Sequence, residues 1–69
     1  MNTLKINGQL QDFPDGLPKT LSGLLTLLKI NQATVVAEVD EQIIKRTEFA
    51  NTPLESGQSI ELVRFVGGG

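Results

Sequence analysis

The chain contains no cysteine, histidine, tryptophan or tyrosine. Those absences exclude disulfides, thiol nucleophiles, imidazole acid–base catalysis and Cys/His metal sites in one step. Three Asp and five Glu are present, but none has the spacing of a calcium-binding loop. Ser22, Ser56 and Ser59 have no imidazole to activate them and read as cap, turn and strand-entry residues. Nothing internal looks catalytic, so the chain is not expected to be an enzyme, nor to bind a metal or cofactor of its own. Charge of one sign is scarce too: six basic and eight acidic residues leave a net charge of −2, and the pI is about 4.8. That balance argues against nucleic acid or an anionic membrane as the main partner. The longest apolar stretch, residues 24–30, is broken by Thr26 and Lys29 and is too short to span a bilayer. Residues 1–5 show no basic stretch followed by an apolar one, so no signal peptide is expected. A soluble, cytoplasmic protein is the expectation.

What is present fits one small folded domain. With 69 residues, such a domain buries only about 60% of the surface its unfolded chain exposes, which leaves a thin core. Asn7-Gly8 sits between short segments carrying Leu4, Ile6 and Leu10. An Asn-Gly pair supplies the two positive φ angles of a tight hairpin, which predicts strands over 3–7 and 9–13. Turn chemistry follows at Pro14-Asp15-Gly16 and Pro18. Leu21, Leu24, Leu25 and Leu28 then recur at i, i+3, i+4 and i+7, the stripe of an amphipathic helix. Thr20 suits its N-cap and Lys29 its C-terminal end. Gly23 inside this helix costs it roughly 1 kcal/mol relative to Ala; close approach to the sheet is one role it could serve, which the sequence by itself does not decide.

Val35-Val36-Ala37-Glu38-Val39 is rich in β-branched residues and reads as a buried strand. Asp40-Glu41 turns the chain into a short strand over 42–45, and 47–49 reads as one helical turn. A loop with a tight turn near Gly57 leads to the last strand, 59–66. The order β-β-α-β-β-turn-β predicts an α+β domain, a mixed sheet with the leucine stripe packed on one face.

The most informative segment is Arg64-Phe65-Val66-Gly67-Gly68-Gly69. Three consecutive glycines at a given place arise by chance roughly 3 times in 10,000, so the tail calls for an explanation. A frayed terminus or a flexible linker is one. The functional alternative gives each part a role. A carboxylate that must be activated inside another protein needs a slender tether, and glycine, lacking Cβ, can thread a narrow channel. Three extended residues reach roughly 10 Å. A final glycine also leaves the carbonyl carbon open to attack.

These residues resemble the ThiS-type sulfur carriers of thiazole formation in thiamine biosynthesis, members of the ubiquitin-like β-grasp group. The likeness spans essentially the whole chain. It is carried most specifically by Phe65-Val66-Gly67-Gly68-Gly69 and by Ile43-Ile44-Lys45-Arg46-Thr47-Glu48-Phe49. In the latter, Lys45 stands where that family frequently has Pro and Phe49 where it has Trp. The resemblance implies a β-grasp domain over 1–66 and a flexible glycine tail at 67–69. It implies that a ThiF-type adenylating enzyme, similar to the ubiquitin-activating kind, uses ATP to convert the Gly69 carboxylate to an acyl-adenylate. Sulfur from a persulfide, supplied by a cysteine desulfurase or another donor, then leaves a thiocarboxylate. That group is presented to a ThiG-type thiazole synthase.

A docking surface is expected beside the tail. If Ile60 and Leu62 face the core, alternation places Glu61, Val63 and Phe65 on the opposite face, with Val36 and Glu38 beside them. Val63, Arg64, Phe65 and Val66 are therefore the expected partner-binding residues, and Gly67, Gly68 and Gly69 the expected working end. Phe65 could equally pack over the core edge. Arg64, Arg46 and Lys45 could form a cationic rim or remain solvated surface charge. Three other functions share parts of this pattern: the small subunit of molybdopterin synthase, a ubiquitin-like modifier conjugated through Gly69, and a plain interaction module. The third glycine and Phe65-Val66 favour the thiazole route over the molybdopterin one.

Overall fold

A computed structural model describes residues 2–64. The readings placed on residues 65–69, including the end of the last strand, lie outside the described residues. Five strands and one helix appear in the expected order: β1 Thr3–Ile6, β2 Gln9–Asp12, α1 Leu21–Leu27, β3 Val35–Val39, β4 Gln42–Ile44 and β5 Ser59–Arg64. Short 3-10 segments at Gln32–Thr34 and Arg46–Asn51 link them, the second enlarging the single turn expected at 47–49.

Two hairpins with two-residue turns frame the sheet. In the first, Ile6 pairs with Gln9 across Asn7 (φ 49°) and Gly8 (φ 83°), the two positive φ angles that a two-residue turn demands. The strands therefore stop at Ile6 and Asp12, one residue short of the expectation on each side, because Asn7 belongs to the turn and Phe13 turns into the core. In the second, Val39 pairs with Gln42 across Asp40 (φ 49°) and Glu41 (φ 72°). This turn is built without glycine, so both residues hold a backbone conformation that costs an L-residue energy.

The sheet order is β2-β1-β5-β3-β4. β5 lies at the centre, parallel to β1 and antiparallel to β3, so the last strand enters between elements already formed by earlier chain. Alternation then fixes two faces. Leu4, Ile60, Leu62, Val35, Ala37 and Val39 are buried on the inner face. The helix supplies Leu21, Leu24 and Leu25, each fully buried, and Phe13, Phe49 and Leu54 close the core from the loops. Each leucine so buried stabilises the fold by roughly 1.5–3 kcal/mol before the entropy of ordering it is counted.

The helix begins where the sequence places it. Thr20 is extended and its Oγ1 accepts a hydrogen bond from the Gly23 N–H at 3.1 Å. It ends one residue before Leu28, which caps it and is half-buried against the core. Lys29 takes φ 61°, its N–H donates to the Thr26 carbonyl, and the Ile30 N–H donates to the Leu25 carbonyl. That pair of bonds is the Schellman arrangement, made with lysine where glycine is usual. Gly23, whose role the sequence leaves open, makes no close approach to the sheet. A Cβ there would meet Pro18 Cβ at 3.5 Å and Thr20 Oγ1 at 3.6 Å, ordinary contacts with the preceding loop and not with the sheet. Leu10 also stays outside the core: it pairs with Lys5, whose parity is opposite to that of buried Leu4, and is 77% exposed.

This topology, one helix crossing a mixed five-stranded sheet with the last strand central, is the β-grasp arrangement.

Candidate functional site

β5 carries the chain to Arg64, the last described residue, so the site is built around that strand. Ile60 and Leu62 are buried and anchor it; Glu61 and Val63 face outward. The register with β3 sets Val63 directly opposite Val36, and Glu61 opposite Glu38. Glu38 in turn faces Ile43 on β4. Side chains directly opposite one another on one face touch. The outer face of β5, β3 and β4 therefore presents a short apolar row, Val63 and Val36, next to Ile43 and two adjacent carboxylates. Val63 is 60% exposed and Ile43 70%. Apolar side chains of this size, grouped and exposed, are the usual mark of a partner surface on a small domain.

Val63 is thus where the alternation places it. Arg64 is exposed, but it shares the parity of Ile60 and Leu62 and pairs with Val35, so it lies at the end of the inner face rather than on the outer one. β4 and β5 are both antiparallel to β3 and run the same way, so Lys45 and Arg46, which follow β4, sit at the same end of the sheet as Arg64. All three are exposed. The cationic residues are brought to the edge from which residues 65–69 continue. Phe65 and Val66, and the glycines at 67–69, lie outside the described residues.

Ile43 belongs to this surface as well, beyond its place in a strand and in the 43–49 segment that carries the family resemblance. The signal was available: a two-residue turn at Asp40-Glu41 pairs Val39 with Gln42, which forces Ile43 onto the face of Glu38. Two polar side chains were missed as well. The Asn7 Oδ1 accepts a hydrogen bond from the Leu62 N–H at 2.7 Å, and the Asp40 Oδ1 accepts one from the Ser59 N–H at 2.9 Å. Each comes from a hairpin turn and each holds β5.

Among the described residues, no group of three or more His, Cys, Asp or Glu could hold a metal ion. A surface concavity of about 370 Å³ lies between residues 11–16 and Leu27-Leu28. Among the described residues its titratable groups are Asp12 and Asp15, and no other nucleophile or base lines it. No helix is long and apolar enough to cross a membrane among the described residues.

A β-grasp sheet whose central last strand exposes an apolar face defines a domain of the ubiquitin-like class. The comparison with protein families narrows this: the ThiS family model matches residues 4–69, nearly the whole sequence and all three terminal glycines. The chain belongs to the ThiS family. A crystal structure of the thiamine biosynthesis protein ThiS from Geobacter metallireducens superposes with a TM-score of 0.80 at 32% identity, covering 97% of this chain and 99% of that one. A solution structure of a thiamine biosynthesis protein from Geobacter metallireducens matches at a TM-score of 0.80 and 29% identity, covering 97% and 87%. A thiazole synthase from Paramagnetospirillum magneticum is 30% identical over 66 residues, 96% of this chain. The chain spans about a fifth of the length of that curated relative.

Proposed function

We propose that this chain is a sulfur carrier in thiamine biosynthesis and that the sulfur rides on the C-terminal carbonyl of Gly69. The observation that carries the reading is the family match, which extends through Gly67, Gly68 and Gly69 and so includes the tether itself. In this reading a ThiF-type adenylating enzyme docks on the outer face around Val63, Val36 and Ile43, with Phe65 and Val66 continuing the contact. It transfers AMP from ATP to the Gly69 carboxylate and releases pyrophosphate. Adenylation converts an unreactive carboxylate into an acyl group with a good leaving group. A persulfide sulfur attacks the acyl carbon and AMP leaves, forming an acyl disulfide. A second thiol then cleaves the disulfide bond, leaving a thiocarboxylate on the carrier and a disulfide on the donor. Neither the persulfide nor the second thiol can come from this chain, which has no cysteine; a cysteine desulfurase or a related persulfide protein is the proposed source of the sulfur.

Apart from the Gly69 carboxylate, whose oxygen attacks the α-phosphorus of ATP as pyrophosphate leaves, the chain supplies no acid, base or nucleophile to these steps and acts as the substrate of its partners' active sites. A ThiG-type thiazole synthase is the proposed acceptor. The match of nearly this whole chain to part of a thiazole synthase polypeptide favours that partner over the molybdopterin route. The test is intact-mass analysis after incubation with the adenylating enzyme, ATP and a persulfide donor. The carrier reading expects replacement of one oxygen by sulfur. Isopeptide conjugates to lysine on other proteins, with no sulfur incorporated, would establish the modifier function instead.

A further inference from the structure

We infer that Asn7 is a positioning residue for the tether, acting through the main chain of β5. This rests on the carrier reading above. β1 pairs with β5 in parallel at Lys5↔Ser59 and Ile6↔Ile60, and then β1 ends. The Asn7 N–H still donates to the Ile60 carbonyl at 2.9 Å. In a continuing parallel ladder the next donor on β5, the Leu62 N–H, would find the main-chain carbonyl of the residue at position 7. The chain turns away there, with Asn7 at φ 49°. Its side chain takes over, and the Oδ1 accepts from the Leu62 N–H at 2.7 Å. The side-chain amide thus lengthens the β1 side of the ladder to Leu62, two residues before Arg64.

Asp40 uses the same device at the other end of the strand. Its N–H donates to the Ser59 carbonyl and its Oδ1 accepts from the Ser59 N–H, beyond the last β3–β5 pair at Val39↔Ile60. Both turn residues are held at φ 49°. Each flanking hairpin therefore lends one side chain to the central strand, and Asn7 is the one nearer the exit. Three glycines span only about 10 Å, so a tether this short depends on where and in which direction the strand releases it. Position matters steeply in such reactions: a 1 Å misplacement can cost about a hundredfold in rate.

The test compares Asn7→Gly with Asn7→Asp in the full-length chain. Gly-Gly and Asp-Gly both suit the turn, so both variants fold; only the aspartate keeps an acceptor at the Oδ1 position. The measurements are ATP–pyrophosphate exchange with the adenylating enzyme, amide exchange at Leu62, and a thermal melt. For Asn7→Gly, kcat is expected to fall about five- to tenfold, the size of one hydrogen bond's net contribution. KM should change less than twofold, because the docking side chains remain, and the Leu62 amide should lose protection. Asn7→Asp should restore kcat. A glycine variant with unchanged kcat, or an aspartate variant as slow as the glycine one, overturns the positioning role and leaves the carrier reading intact. Failure of the unaltered chain to support exchange, with its Leu62 amide protected, overturns the carrier reading itself.

Discussion

Replacing Val63 and Ile43 together by threonine tests the docking face at almost no cost to the fold. Burying a valine or isoleucine side chain completely is worth roughly 1.5–3 kcal/mol. Val63 is 60% and Ile43 70% exposed, so most of that gain is still available when a partner covers them. Threonine keeps the β-branched shape and strand preference but replaces a methyl or ethyl arm with a hydroxyl that must be desolvated. About 1 kcal/mol should be lost at each site, about 2 kcal/mol together, which weakens binding roughly thirtyfold. Stability should change by less than about 0.5 kcal/mol, because neither side chain contributes to the core. Calorimetric titration against the adenylating enzyme, beside urea unfolding of the free variant, measures both quantities. Leu10→Thr is the control: Leu10 is exposed on the same face but lies two strands away from β5, on β2. Its affinity should stay within twofold of the unaltered chain. If the double variant also bound within twofold, the outer face of β5, β3 and β4 would not be the docking surface.

The local backbone makes two further predictions. Glu41 holds φ 72° at the second position of a two-residue turn, where glycine is unstrained. Glu41→Gly should therefore raise stability by about 0.5–1 kcal/mol, read as the midpoint in urea; an unchanged or lowered midpoint would refute the claim of strain there. Gly23→Ala should add about 0.5–1 kcal/mol, or several degrees in Tm. The new methyl has only ordinary contacts at 3.5 and 3.6 Å to meet, and a destabilised variant would return Gly23 to the role of a required close approach.

Periodicity made much of this fold legible. The leucines at 21, 24 and 25 are buried as their spacing demands, Thr20 caps the helix, and the Val35–Val39 strand alternates buried and half-buried residues. Asn7-Gly8 signalled its turn because few other pairs adopt two positive φ angles readily. Asp40-Glu41 forms the same kind of turn with weaker credentials, since long-range pairing of β3 with β5 holds the strand against local preference. What the sequence hid depends on register and on contacts far apart in the chain. Ile43 belongs to the outer face only once Val39 is known to pair with Gln42. The bond from Leu62 to Asn7 joins residues 55 apart, and no spacing rule announces it. Arg64 illustrates the reverse case: its exposure was expected, but its parity places it with the inner face, beside the cations that follow β4. Gly23 stayed undecided in the sequence because a helical glycine has several explanations, and here its surroundings leave room for a side chain.

Sulfur loading of the carrier, followed by fragmentation mass spectrometry, tests the central claim most directly. The chain ending in Gly69 should acquire one sulfur in place of oxygen, in the fragment containing Gly69, when adenylating enzyme, ATP and persulfide donor are all present. A chain lacking Gly69, or carrying one alanine after it, should remain folded and unmodified. Sulfur found elsewhere in the chain, or loading of the alanine-extended form at the same rate, would contradict the account.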